Sequence, residues 1–101
     1  MVKRVRGSRT GRPIMVLLDL LGQRWTLRLI WDLREEPKRF RELQDSIGAS
    51  PTIVNARLSA LREARLVELD PERGYRLTVL GRELLELLLP LHRWAEKWAK
   101  R

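Results

Sequence analysis

The 101-residue sequence contains no cysteine and a single histidine, His92. Without cysteine it has no disulfide framework, no Cys-ligated zinc site and no thiol switch. One histidine supplies no metal cage and has no second histidine to pair with. A glycine-rich phosphate loop is also missing, and the acidic residues are scattered among arginines, as on solvated helical faces. We therefore expect neither an enzyme nor a bound cofactor or metal.

Long apolar runs are lacking as well. The longest ones, such as residues 87–91 with Pro90 among them, are far shorter than the ~20 residues of a membrane-spanning helix. The first residues offer no apolar stretch for a signal peptide. These absences predict a cytoplasmic protein with no membrane partner.

The residues that are present fit one folded domain with a basic surface. Hydrophobic residues make up 44% of the chain, which is enough for a core and argues against disorder. A chain of this length supports one core rather than two. Lys and Arg number 21 against 13 Asp and Glu, giving a net charge of +8. That excess favours a polyanionic partner such as nucleic acid.

Residues 1–12 form a basic arm with no acid among them. Its five cations are Lys3, Arg4, Arg6, Arg9 and Arg12, and the rest of the chain carries 16 basic against 13 acidic side chains. Small and polar residues between the cations predict a flexible segment. Two interpretations stay open with similar weight: a solvated tail, and an arm that follows DNA phosphates or enters a minor groove.

Apolar residues at helical spacing predict four helices, at about residues 14–21, 24–34, 40–47 and 51–65. Gly22 ends the first helix, residues 35–37 end the second, and Gly48 ends the third. Ser50 and Pro51 start the fourth, because serine caps a helix and proline fits its first position.

After the fourth helix, the spacing of apolar residues changes from the helical pattern to that of strands. Residues 66–69 and 75–77 have the pattern of short strands, with turn chemistry at 70–74 between them. Thr78 then caps a final helix over about 78–101, in which Pro90 marks a kink or a break between two helices. The predicted class is mainly α with a small β-hairpin. It is a winged helix-turn-helix over residues 13–101, with the wing at about 66–77 and dimerisation helices at both ends.

Five groups of residues occur in one order along this chain. They are Leu20-Leu21-Gly22-Gln23-Arg24-Trp25-Thr26-Leu27, Pro37-Lys38-Arg39-Phe40-Arg41-Glu42-Leu43, Ser50-Pro51, Arg57-Leu58 with Leu61, and Leu77-Thr78 with Leu80-Gly81. Together they resemble the HxlR-type branch of bacterial and archaeal winged-helix transcriptional regulators, which is related more distantly to the MarR type. The resemblance runs from about Pro13 onward and implies a dimeric regulator that binds operator DNA.

Three features depart from that family's pattern. Many members carry a cysteine near the first helix, through which some sense oxidants or electrophiles, and this chain has none. The hairpin is short, with only residues 70–74 between its strands, which limits the reach we expect for the wing along DNA. Arg65 stands where the family usually has glycine, so a left-handed backbone there would cost a modest strain.

The fourth helix has one apolar side, centred on Val54, Leu58 and Leu61. At ~100° per residue, its opposite side carries small uncharged residues with one amide on the flank. We interpret that side as the face that enters a major groove, with Thr52, Asn55, Ala56 and Ser59 as the base-edge candidates. The alternative is an ordinary solvated helix face, which a helix-turn-helix context makes the weaker interpretation.

Cations around that helix are candidates for phosphate contacts, which supply affinity and fix register. They are Arg24, Lys38, Arg39, Arg41, Arg57, Arg73 and Arg76. Arg39 is the favoured one because it precedes Phe40, the anchor of the third helix. Acidic residues at positions 35, 36, 42 and 45 can instead pair with the neighbouring cations.

Arg57 lies between the buried and exposed sides of the fourth helix, roughly 50° from the centre of the apolar side. A structural role, such as a salt bridge to Glu68, is favoured over a phosphate contact. Base reading comes third.

The first and final helices are apolar on more faces than one small domain can bury. We expect a homodimer interface that contains Leu17, Leu84, Leu88, Leu91, Trp94 and Trp98. Two copies would present two recognition helices to an inverted repeat with half-sites ~34 Å or more apart. A small-molecule effector where the terminal helices meet the first stays open beside simple packing, and His92 is interpreted as a surface residue.

The favoured function is therefore sequence-specific binding of double-stranded DNA by a homodimeric transcriptional regulator without cysteine-based sensing. The alternative is a winged-helix module that binds RNA or a protein partner. The salt dependence of affinity distinguishes DNA binding from protein binding, because affinity for DNA phosphates falls steeply as the salt concentration rises.

Overall fold

The computed structural model describes residues 11–100, so the first ten residues of the predicted basic arm lie outside the described part. The elements follow in the order α1 (Pro13–Leu21), α2 (Thr26–Asp32), α3 (Phe40–Ile47), α4 (Pro51–Glu63), β1 (Val67–Asp70), β2 (Gly74–Leu77), α5 (Val79–Leu88) and α6 (Pro90–Lys100). The two strands pair antiparallel, with Val67 opposite Leu77 and Asp70 opposite Gly74. The predicted class, mainly α with a β-hairpin, is confirmed. Within residues 11–100, every helix is too short or too polar to cross a membrane.

The core lies where α2, α3 and α4 meet, and the base of the hairpin and α5 close it. Its buried apolar residues are Leu20, Leu29, Ile30, Leu33, Leu43, Ile47, Val54, Leu58, Leu61, Leu66, Val67, Leu77 and Leu85. A leucine buried in this way contributes roughly 1.5–3 kcal/mol relative to an exposed one. The predicted apolar side of α4 is confirmed, and its burial fixes which side of the helix is left for solvent or a ligand.

Two predicted helix caps are present. The Ser50 hydroxyl accepts a hydrogen bond from the Ile53 N–H at 3.2 Å, at the start of α4. The Thr78 hydroxyl accepts one from the Gly81 N–H at 3.0 Å and donates to the Arg65 carbonyl at 2.7 Å. Thr78 thus starts α5 and also ties it to the end of the α4–β1 connection.

Two predicted helix boundaries differ from the observed ones, and a third point that the sequence left open is decided. The second helix begins at Thr26 rather than near Arg24, because Trp25 has a left-handed backbone with φ 81°. The fourth helix ends at Glu63, and Arg65 beyond it has φ 65°, so the suspected left-handed position is confirmed. Of the kink and the break left open at Pro90, the break is present: Leu89 separates α5 from α6, and Pro90 takes the first position of α6.

The wing is joined to the start of α3 by backbone hydrogen bonds. The Lys38 N–H donates to the Tyr75 carbonyl at 2.9 Å, and the Tyr75 N–H donates to the Lys38 carbonyl at 2.8 Å. Tyr75 is half-buried against the core, at the base of the wing. Gly74, at φ 102°, lies so close to this junction that a Cβ would stand 2.5 Å from the Lys38 carbonyl oxygen.

The Gly74→Ala variant tests this close approach. We expect it to lower the free energy of unfolding by about 3 kcal/mol, from left-handed strain together with the clash against Lys38. Gly48→Ala is the matched control, because Gly48 also has a positive φ of 73° but has nothing within 4 Å of a built Cβ. It should cost about 1 kcal/mol. Urea denaturation of both variants measures the difference, and equal losses would contradict the close approach.

Candidate nucleic-acid interface

The outward side of α4 is a continuous polar face on a rigid support. Thr52, Asn55, Ala56 and Ser59 are all exposed, whereas Val54, Leu58 and Leu61 on the other side are at most 1% exposed. Among residues 11–100, the side chains of the three polar members form no hydrogen bond with the protein. Their donors and acceptors are therefore available to a ligand, and the predicted geometry of this face is confirmed. Its role in reading bases stays a prediction.

The candidate phosphate-binding cations differ in the partners that they already contact within the protein. Arg41 and Arg73 are exposed and have no ion pair within the described residues. The Arg24 guanidinium lies 4.4 Å from the centre of the Trp25 ring, a cation–π contact that keeps its charge exposed. Lys38 pairs with Glu36 at 3.5 Å, one of the acid pairings left open above.

Arg39 joins the start of α3 to the turn of the wing. Its guanidinium donates a hydrogen bond to the Glu72 carbonyl, and its backbone N–H donates to the Glu42 carboxylate at 2.8 Å. A carbonyl is a neutral acceptor, so the positive charge of Arg39 is not cancelled. Arg39 can therefore support the wing and still attract a phosphate.

Arg76 is the candidate cation whose charge is most fully neutralised by acidic partners. It donates to Glu68 at 2.7 Å and to Asp70 at 3.0 Å, and the Glu68 hydrogen bond raises the pKa of its guanidinium. The pKa of Asp70 is lowered, chiefly by backbone N–H groups of Glu72 and Arg73 and then by the charge of Arg76. Asp70 consequently stays ionised further into acid and holds the wing turn closed at neutral pH.

Arg57 does not pair with Glu68, which is held by Arg76. Its Nε instead donates to the backbone carbonyl of Arg24 at 2.8 Å. The structural role favoured from the sequence is thus supported with a different partner. Every residue has a backbone carbonyl, so the sequence does not reveal that this one accepts a hydrogen bond from Arg57. Residue types alone therefore suggest only an acidic side chain as the partner of Arg57.

The candidate dimer residues fall into two groups. Leu84 and Leu88 are half-buried against the core, and Leu17 is also half-buried. Leu91, Trp94 and Trp98 on α6 are 54%, 55% and 52% exposed, and the two tryptophan rings stack at 6.1 Å. Leu87 on α5 is 76% exposed. Together, α5 and α6 present more apolar surface than this protomer covers.

Two further arginines tie elements together and were missed in the sequence. Arg28 on α2 donates to the Ser46 carbonyl on α3 at 3.0 Å, and Arg82 on α5 donates to the Arg34 carbonyl at 3.0 Å. Both acceptors are backbone atoms, and no motif marks them.

An apolar groove lies between α2 and the α5–α6 junction. Its lining includes Ile30, Trp31, Leu85 and Leu88. The ring of His92, an exposed residue as expected, stacks on Trp31 at 5.9 Å. A second apolar pocket, lined in part by Leu17 of α1 and by Leu84 and Leu87 of α5, lies where the first helix meets the terminal helices, the place considered for an effector.

Comparisons with known proteins identify a family and a class of relatives. The family model for the HxlR-like helix-turn-helix matches residues 20–101. An uncharacterized HTH-type transcriptional regulator of Mycobacterium tuberculosis is 33% identical over 97% of this chain. The chain spans 63% of that relative's length. The HTH-type transcriptional regulator YodB of Bacillus subtilis is 32% identical over 81% of this chain and 80% of its own length.

Solved structures of transcriptional regulators have the same fold. The crystal structure of quinone-bound YodB from B. subtilis has a TM-score of 0.74 and 30% identity, covering 83% of this chain and 96% of that one. A protein from Thermoplasma volcanium, described as a "possible HxlR family transcriptional factor", has a TM-score of 0.76 and 27% identity. It covers all of this chain, which in turn covers 98% of it.

Proposed function

The chain belongs to the HxlR-like helix-turn-helix family, and from that membership we propose that it acts as a homodimeric regulator on an inverted-repeat operator in double-stranded DNA. The observation that carries the proposal is the one-sided burial of α4. Its inner side is part of the core, and its outer side offers unpaired small polar groups. A helix of this kind fits a major groove, because the groove admits one helix and its side chains then reach base edges.

The exposed residues of α4 suit particular contacts. The Asn55 amide can pair bidentately with the N6 and N7 of adenine, and the Ala56 methyl can contact the thymine methyl group. The hydroxyls of Thr52 and Ser59 can serve as donor or acceptor for several bases. Because none of these side chains is charged, they supply selectivity, while affinity comes from the surrounding cations.

Four of the candidate cations are best suited to phosphates: Arg24, Arg39, Arg41 and Arg73. Each is exposed, and within residues 11–100 none has a carboxylate within ion-pair distance. Lys38 and Arg76 already have acidic partners, which reduces the free energy they gain from a phosphate. Arg39 at the start of α3 donates to the Glu72 carbonyl in the wing turn, and Arg73 is the next residue of that turn, so both cations lie at the wing, which would flank the DNA backbone beside the groove.

We propose that dimerisation uses the apolar residues of α1, α5 and α6. Three of the candidates, Leu91, Trp94 and Trp98, are about half exposed on a helix that has no buried residue of its own. Covering them with a second copy removes apolar surface from water and brings two α4 helices to one side of DNA.

Release from DNA, in this proposal, does not depend on cysteine oxidation. These 101 residues contain no cysteine, so a thiol-based signal has no site within them. The related YodB has been solved with quinone bound, which is a property of that protein. The present chain would need a signal of a different chemistry.

The DNA-binding proposal predicts different effects for two kinds of residue. Asn55→Ala should weaken binding to the operator by about 1–3 kcal/mol while leaving random DNA unaffected. Arg39→Ala should weaken binding to both and lower the slope of log affinity against log salt by about 0.9 per protomer. Mobility shifts with promoter-proximal and random duplexes across a salt series measure both quantities.

Lys100→Ala, which removes a cation from α6, is the control and should change neither quantity. If the protein binds no duplex at low salt, the proposed function fails. Salt-insensitive capture of a protein partner, or preference for single-stranded RNA, would then support the alternative.

The dimer proposal predicts that Trp94→Glu converts the dimer to a monomer. Trp94 is 55% exposed in the protomer, so the substitution should leave the fold intact while placing a charge in the apolar interface. Sedimentation equilibrium measures the mass, and circular dichroism checks folding. Lys100→Glu on the opposite side of α6 should remain dimeric. A wild-type protein that is monomeric at micromolar concentration would contradict the dimer.

A further inference from the structure

The corner between α1 and α2 contains a strained residue. Trp25 has φ 81° and ψ −13°, a left-handed conformation that bulky side chains rarely adopt. Its ring is half-buried against the core and is covered on one face by the Arg24 guanidinium. Unusual backbone conformations persist only where surrounding contacts hold them, and they concentrate at functional or switching positions.

One of those contacts comes from α4. The Arg57 Nε donates to the Arg24 carbonyl at 2.8 Å, across 33 residues of sequence. That carbonyl and the Trp25 N–H belong to the same peptide unit. The hydrogen bond therefore fixes the plane of the peptide that precedes Trp25, and the left-handed φ of Trp25 is the rotation relative to that plane. The side chain of α4 therefore stabilises the strained corner directly.

The same hydrogen bond also acts on α4. The buried side chains of Val54, Leu58 and Leu61 fix which side of α4 faces the core, but apolar packing is not directional and leaves the fine rotation of the helix less tightly set. A hydrogen bond depends on both distance and angle. Arg57 is half-buried, at the edge between the buried side of α4 and the face proposed to read bases. A small rotation of α4 would break the bond to Arg24 and displace that face.

We propose that Arg57 is a positioning residue that sets the orientation of the base-reading face by its hydrogen bond to Arg24, rather than a residue that neutralises a phosphate. Because α1 leads directly into this corner, the same bond couples the helix carrying Leu17 of the proposed dimer interface to α4. The inference rests on the proposed DNA binding, and it adds a route from that interface to the recognition helix.

Two substitutions separate the roles of donor and charge. Arg57→Gln places an amide N–H at the position of Nε, bonded to the same Cδ, and removes the charge. Arg57→Lys keeps the charge but puts a methylene where Nε was, so the donor is displaced. Affinity for operator and scrambled duplexes is measured for both over a range of salt, together with the 1H–15N spectrum of the free protein.

A positioning role predicts that Arg57→Gln keeps the preference for operator over scrambled DNA and an unchanged salt slope. Arg57→Lys should lose about tenfold or more of that preference while keeping the slope. Arg41→Gln is the control for a phosphate contact, and it should lower the slope by about 0.9 per protomer on both duplexes. The opposite result, with Lys like wild type and Gln of reduced slope, would overturn the proposal.

The free protein supplies a readout that does not need DNA. The Trp25 backbone amide resonance should shift in Arg57→Lys and stay close to its wild-type position in Arg57→Gln. If no duplex binds but this pattern appears, the proposed function fails while the link between α4 and the corner stands. If both variants leave the Trp25 resonance unchanged, the link itself is wrong.

Discussion

The burial of one side of α4 is the constraint on which the remaining structure depends. Val54, Leu58 and Leu61 are almost completely removed from water, so this side of the helix has to face α2 and α3. The orientation of the helix in turn decides which of its residues face outward. The short connection before α4, with Gly48 left-handed and Ser50 as cap, brings α3 and α4 together at this angle. The wing follows α4 directly, so its place is set by the same packing.

Arginines then connect the elements without losing their charge. Arg28, Arg39, Arg57 and Arg82 each donate to a backbone carbonyl far away in sequence. A carboxylate partner would stabilise the same junctions but would cancel the cation. Carbonyl partners leave a basic surface on a domain whose acidic and basic residues are nearly balanced in number. The structure thereby supports its junctions and leaves the positive charge of these arginines uncancelled.

The sequence predicts those features that depend on local chemistry. The Ser50 and Thr78 caps and the two sides of α4 follow from residue types and spacing. The left-handed backbone of Arg65 is indicated only by the resemblance, because the family usually has glycine at that position. The strained Trp25 does not follow from residue types, because tertiary packing overrides the backbone preference of a bulky residue there. The Arg57 partner is hidden for another reason: its acceptor is a main-chain oxygen, which every residue possesses. The extent of apolar surface left on α6 also depends on how the helices pack, which spacing alone does not determine.

The central claim is that the outward face of α4 enters a DNA groove. Titration of the 15N-labelled protein with a duplex from the promoter region of its own gene tests it most directly. We expect the largest shifts and line broadening at Thr52, Asn55, Ala56 and Ser59, with smaller ones along the wing turn. Shifts confined to α5 and α6, with the α4 amides unchanged at saturation, would contradict the claim.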